Sequence, residues 1–173
     1  MKNNFIFYIA AISIFLSLKF SYKYTSTDAL LWLIKPVSFF VEIASDAKSV
    51  YVPEGGYYFK TLNIVINKSC SGFNFWLLCF LMLNGLALNF YHTFFQKTGV
   101  LLVSITIAYF ITVLVNTCRI VSSIAIAHFN SFLIIDEKTI HQATGIITNL
   151  TFLIIVYLIT NFILIKIHHA KFT

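Results

Sequence analysis

Charge is scarce in this chain. Lysine, arginine, aspartate and glutamate supply 10% of its 173 residues, against about 25% in an average soluble domain, which excludes a globule with an ordinary polar surface. Arginine occurs once, at Arg119. The basic residues outnumber the acidic ones, for a net charge of +6, but they are scattered at segment ends and in loops. With no stripe of Lys and Arg there is no footprint for nucleic acid. Cysteine is also sparse: Cys70, Cys79 and Cys118 form no CxxC pair and are odd in number. Neither a disulfide framework nor a zinc ribbon fits that pattern. Internal repeats and low-complexity tracts are absent too.

What the chain has is apolar surface, with 59% hydrophobic residues, 17% aromatics and a mean hydropathy of +0.87. Runs of eighteen or more apolar residues read as membrane spans. The pattern predicts an all-α integral membrane protein, a single membrane-embedded domain over residues 1–173. It would be a helical bundle of about 4–5 membrane segments with a small β-hairpin ahead of Cys70.

Residues 5–20 follow Lys2-Asn3-Asn4 and lack a small-residue cleavage pattern, so they read as an uncleaved anchor span, though a short one. Residues 29–44 have the helical period of an amphipathic element. Leu30, Leu33, Ile34, Val37, Phe40, Val41 and Ala44 share one face, and Lys35, Ser38, Glu42 and Ser45 fall largely on another. An interfacial or re-entrant helix fits better than a span, because Lys35, Pro36 and Glu42 sit badly in hydrocarbon. Residues 46–72 form a polar and aromatic loop, in which Pro53-Glu54-Gly55-Gly56 marks a turn between Val50-Tyr51-Val52 and Tyr57-Tyr58-Phe59, and Leu62-Asn63-Ile64-Val65-Ile66-Asn67, which alternates imperfectly, leads this small hairpin into Cys70. Three spans follow, at residues 73–91, 99–117 and 145–165. The loop from His92 to Thr98, which holds Lys97, makes the first two an antiparallel pair. The second span either extends past Arg119 or breaks near it.

Counting spans from Cys70 returns Arg119 and His141 to the Cys70 side and sends Lys97 and the C-terminal tail to the other. Charge counts leave the orientation open, since basic residues lie on both sides.

A thiol, a guanidinium and an imidazole at one membrane depth suggest chemistry. Thiolates are favoured by nearby cations and by helix N-termini, and Ser69 and Ser71 are good N-cap residues for the helix that begins at Phe73. Cys70 is the candidate nucleophile, with His141 to accept its proton and later deliver it to a leaving amine. Arg119 keeps its charge when buried, and it would donate to an oxyanion or bind a substrate carboxylate. Each residue also has a plain reading: an inert boundary cysteine, a snorkelling anchor and an interfacial histidine. Asp136 and Glu137 either orient His141 or are solvated loop charge. His168 and His169 are adjacent in the C-terminal tail and His92 falls on the side opposite His128 and His141, so a ligand pair on neighbouring helices has no support and no metal or cofactor is expected.

At these residues the sequence resembles the exosortase and archaeosortase family of membrane cysteine transpeptidases. The resemblance rests on Ser69-Cys70-Ser71-Gly72-Phe73, on Asn116-Thr117-Cys118-Arg119-Ile120 and on His141, in that order, and covers roughly residues 51–165. Compact members such as exosortase K are the most similar, since longer members carry more spans. The resemblance implies catalytic roles for Cys70, Arg119 and His141. It implies substrates with a C-terminal motif, a transmembrane helix and a basic tail, and transfer of the cleaved acyl end to an envelope acceptor. It also implies a multi-pass protein of the cell membrane whose site, hairpin and 46–72 loop face outward. Two rivals stand beside it: a non-catalytic membrane scaffold or transporter subunit, and a membrane thiol redox enzyme.

Overall fold

The computed structural model describes the backbone of residues 2–129 and 137–170 and the side chains of residues 4–126 and 142–167. Asp136 and the side chains of His128, Glu137, His141, His168 and His169 lie outside the described residues. The elements are α1 (Lys2–Tyr24), α2 (Leu31–Ser45), β1 (Ser49–Val52), β2 (Gly56–Phe59), β3 (Ile64–Ile66), α3 (Phe73–Ala87), α4 (Phe94–Phe129) and α5 (Glu137–Ala170). Short 3-10 turns cover Asp28–Leu30, Lys68–Cys70 and Leu88–Phe90.

Four helical stretches among the described residues are long and apolar enough to cross a membrane: Asn4–Tyr24, Lys68–Phe90, Phe94–Ile126 and Gln142–Ile167. That is compatible with a multi-pass membrane protein. α1 runs past residue 20, so the first stretch is long enough after all. α4 continues through Arg119 without a break for 36 residues, about 54 Å of helix, where the apolar run alone suggests 99–117. A single charge interrupts a hydropathy pattern but not a backbone hydrogen-bond ladder.

The chain divides into two compact units. The first comprises residues 1–24, 74–111 and 153–173. Phe7, Leu88 and Val100 form a buried cluster flanked by Tyr8, Ala87, Tyr91 and Leu101. Asn4 Nδ2 donates to the Leu88 carbonyl at 3.5 Å and the Tyr8 hydroxyl to Asn89 Oδ1 at 3.2 Å. Lys97, expected in a loop, is instead a residue of α4 and is only 3% exposed. Its ammonium lies 5.8 Å from the centroid of the Phe7 ring, which offers a cation–π contact where water is scarce. Most outward positions are apolar, including Phe5, Ile9 and Phe20 on α1 and Ile154, Leu158 and Phe162 on α5. So much exposed hydrocarbon is compatible with a surface that meets lipid. An apolar groove of about 630 Å³ runs between α3, α4 and α5, lined in part by Leu83, Val103, Ile107 and Ile159.

The second unit comprises Thr25–Phe73 and Thr112–Phe152. Its strands form an antiparallel sheet in the order β1-β2-β3. β1 and β2 pair as expected, with Tyr51 opposite Tyr57 and the turn closed by Gly55 N–H donating to the Val52 carbonyl at 3.0 Å. β3 adds a third strand to the expected hairpin, with Ile66 opposite Tyr57 and Ile64 opposite Phe59, so a largely helical chain carries a small three-stranded sheet. α2 packs on β2, burying Leu33, Ile34, Val37 and Val41 with Phe59 and Ile66. Its buried face is not quite the expected one. Ser38 is buried, its hydroxyl donating to the Lys35 carbonyl at 2.9 Å, while Phe40 and Ala44 are exposed.

Candidate active site

Cys70 ends the 3-10 turn that links β3 to α3. Asn67 starts this turn with an extended backbone, and its side-chain oxygen accepts from Ser69 N–H at 3.0 Å and from the Ser69 hydroxyl at 2.8 Å. The Cys70 N–H then donates to the Asn67 carbonyl at 2.9 Å and the Ser71 N–H to the Lys68 carbonyl at 3.2 Å. Ser71 does what a cap should, its hydroxyl accepting from the Phe73 N–H at 3.3 Å. Ser69 does not cap α3. Its hydroxyl faces Asn67 and lies 3.7 Å from the Cys70 Sγ. Cys70 therefore precedes α3 rather than occupying its first turn, where the helix dipole acts most strongly.

Gly72 makes this arrangement possible for two reasons. Its φ of +73° is a left-handed conformation that costs other residues about 1–2 kcal/mol, and a Cβ there would lie 3.0 Å from Thr112 Cγ2 and 3.1 Å from Asn116 Cγ. Thr112 and Asn116 are four residues apart on α4, hence neighbours on one helix face. The chain leaving Cys70 is thus pressed directly onto that face.

Asn116 completes the joint. Its side-chain Nδ2 donates to the main-chain carbonyl of Cys70, while its Oδ1 is buried with no hydrogen-bond partner among the described residues. Arg119 lies three residues further on, one turn along the same face. Its Nε is also buried, with no hydrogen-bond partner among the described residues. The guanidinium packs against α5 at Gly145, where a Cβ would come within 2.7 Å of Nε and 3.0 Å of Cζ. Position 141 is four residues before Gly145, one turn of α5 away.

All of these positions belong to the second unit. Contacts link Cys70 to Asn116 and Arg119 to Gly145, and single helical turns link Asn116 to Arg119 and Gly145 to position 141. Cys70 is half-buried, as is Arg119. Cys70, Cys79 and Cys118 are all free thiols, and among the described residues no group of three or more His, Cys, Asp or Glu gathers.

Sequence reasoning selects Cys70, Arg119 and His141 and quotes Asn116 within the motif around Arg119, but assigns no role to Asn116 or Gly145. Asn116 carries a readable signal in its i, i+3 spacing to Arg119. Gly145 does not, because it looks like the first residue of an apolar run. No protein-family model, no curated protein and no solved structure matches the chain.

Proposed function

We propose that this chain is a membrane cysteine transpeptidase of the exosortase type. It would cleave the C-terminal sorting signal of exported proteins and transfer the new acyl end to an envelope acceptor. The observation that carries the reading is the Asn116 hydrogen bond to the Cys70 carbonyl, which ties the thiol-bearing turn to the stretch of α4 that carries Arg119.

In this mechanism the Cys70 thiol gives its proton to His141, and Sγ attacks the scissile carbonyl. The Arg119 guanidinium stabilises the oxyanion that forms, a role for which one lost donor costs about 10²–10³-fold in rate. The C–N bond breaks as His141 returns its proton to the leaving amine, and the acyl group remains on Sγ as a thioester. An acceptor nucleophile, losing its proton to His141, then attacks that thioester and frees Cys70. A substrate whose own apolar helix lies in the bilayer would bring its scissile bond to the membrane boundary already oriented. The site would face outward, in a multi-pass protein of the cell membrane.

The test uses single Cys70→Ala, Arg119→Ala and His141→Ala variants in cells carrying a candidate substrate with a short motif, an apolar helix and a basic tail. Processing is followed by gel shift. Cys70→Ala should abolish it and Arg119→Ala and His141→Ala should slow it, and a thioester-linked substrate trapped on either of the latter would support the covalent step. Normal processing by Cys70→Ala would overturn the proposal in favour of a scaffold.

A further inference from the structure

The Arg119 guanidinium closes on the one position of this stretch of α5 that lacks a side chain. A Cβ on Gly145 would meet Nε at 2.7 Å, Cζ at 3.0 Å and a terminal nitrogen at 3.0 Å, whereas a Cβ on Gly85 or Gly99 would meet nothing within 4 Å. Space at 145 is thus specifically filled by the arginine. Among the described residues Nε has no hydrogen-bond partner, so there its close neighbour is the Gly145 backbone position.

We propose that Gly145 is a positioning residue for Arg119: its missing side chain sets the depth at which the guanidinium rests between α4 and α5, and so its reach toward Cys70. This rests on the reading of Arg119 as the cation that serves the Cys70 thiolate and its oxyanion. The conflict that a methyl group would create falls on the far end of a flexible side chain and not on backbone. Alanine is also a better helix former than glycine. Gly145→Ala should therefore keep the protein folded while moving the charge.

Alkylation of Cys70 in the full chain, in membranes, reads that charge without any substrate. Iodoacetate and iodoacetamide react alike: Sγ bonds to the methylene carbon and iodide leaves. Only iodoacetate is an anion. The ratio of their rates at Cys70, followed by peptide mass so that Cys118 does not interfere, cancels any general change in accessibility and leaves the local charge. Arg119→Gln should lower this ratio about 3- to 10-fold, and Gly145→Ala should lower it toward the same value. In the Arg119→Gln background, Gly145→Ala should change nothing further.

If Arg119→Gln lowers the ratio and Gly145→Ala leaves it at the parent value, the positioning role is overturned while the reading of Arg119 stands. If Arg119→Gln has no effect, that reading fails and the inference fails with it. Loss of folded protein in Gly145→Ala would place the conflict on the backbone, which also overturns the proposal.

Discussion

The side-chain amide of Asn116 donates to the main-chain carbonyl of Cys70, so the residue that carries the thiol is held by its backbone to α4. A thiol on a short turn is otherwise free to drift, and a misplacement of about 1 Å can cost 10²-fold in rate. Asn116→Ala removes the donor and leaves the carbonyl unpaired, a loss of about 1 kcal/mol of stability. Substrate processing should fall by about 10- to 100-fold, more than that loss of stability explains. Asn116→Asp should be no better than alanine, because a carboxylate cannot donate to a carbonyl. The rate of substrate processing per folded enzyme measures both.

Gly72 is the second determinant of that placement. Gly72→Ala meets a left-handed backbone and two close α4 side chains at once, so it should destabilise by about 2 kcal/mol or more. Thermal unfolding in detergent measures the loss. The variant should also process substrate poorly at temperatures where it remains folded, because the conflict with Thr112 and Asn116 is relieved only by moving the turn that carries Cys70. Full activity in folded Gly72→Ala protein would refute the role of this contact.

Much of this architecture is legible in the sequence, and the exceptions have physical causes. The β1–β2 hairpin announces itself through Pro53-Glu54-Gly55-Gly56 between aromatic strands, and the two strands pair across that turn. Leu62 to Asn67 alternates only imperfectly and reads as part of the hairpin, whereas Ile64–Ile66 pairs with β2 as a separate third strand of three residues. On α2, periodicity puts Phe40 inside and Ser38 outside; the fold reverses both. Ser38 can be buried because its hydroxyl is satisfied by its own helix. Phe40 can face outward because an outward face in lipid need not be polar. The order of Cys70, Arg119 and His141 is visible in the chain, but the Gly145 seat depends on which two helices meet, and local pattern does not encode that. The His141 side chain lies outside the described residues.

Glu42 gives the second unit a pH-dependent tie at the C-terminal end of α2. Its carboxylate accepts from the Ser49 N–H at 2.8 Å and from the Ser49 hydroxyl, and these bonds, helped by Lys48, hold its pKa below the usual carboxylate value. A depressed folded pKa contributes stability that is present above the unfolded value, near 4.5, and is lost as pH falls through the folded value. Glu42→Gln should therefore lower the melting temperature at pH 7, and the gap between parent and variant should close as pH drops below about 4. Because the carboxylate is largely solvated, the effect should stay below about 1 kcal/mol. Melting curves from pH 3 to pH 7 decide it, and a gap that persists at pH 3 would show that the Glu42 charge is not its source.

α2 also presents an exposed apolar face. Trp32, Phe39, Phe40 and Ile43 are all exposed on a 15-residue helix whose opposite side is buried on the sheet, with the Lys35 side chain exposed among them. Aromatic and aliphatic groups beside a lysine match the membrane interface, where the ring settles at headgroup depth and the ammonium reaches water. The helix should therefore lie along the bilayer surface rather than cross it. Fluorescence from a Trp76→Phe variant, which leaves Trp32 as the sole tryptophan, tests this. In vesicles, lipids brominated near the headgroup end of the acyl chain should quench Trp32 more strongly than lipids brominated near the chain terminus. Stronger quenching from the terminus would mean that α2 penetrates the bilayer, and equal weak quenching from both would mean that this face meets water or another protein instead.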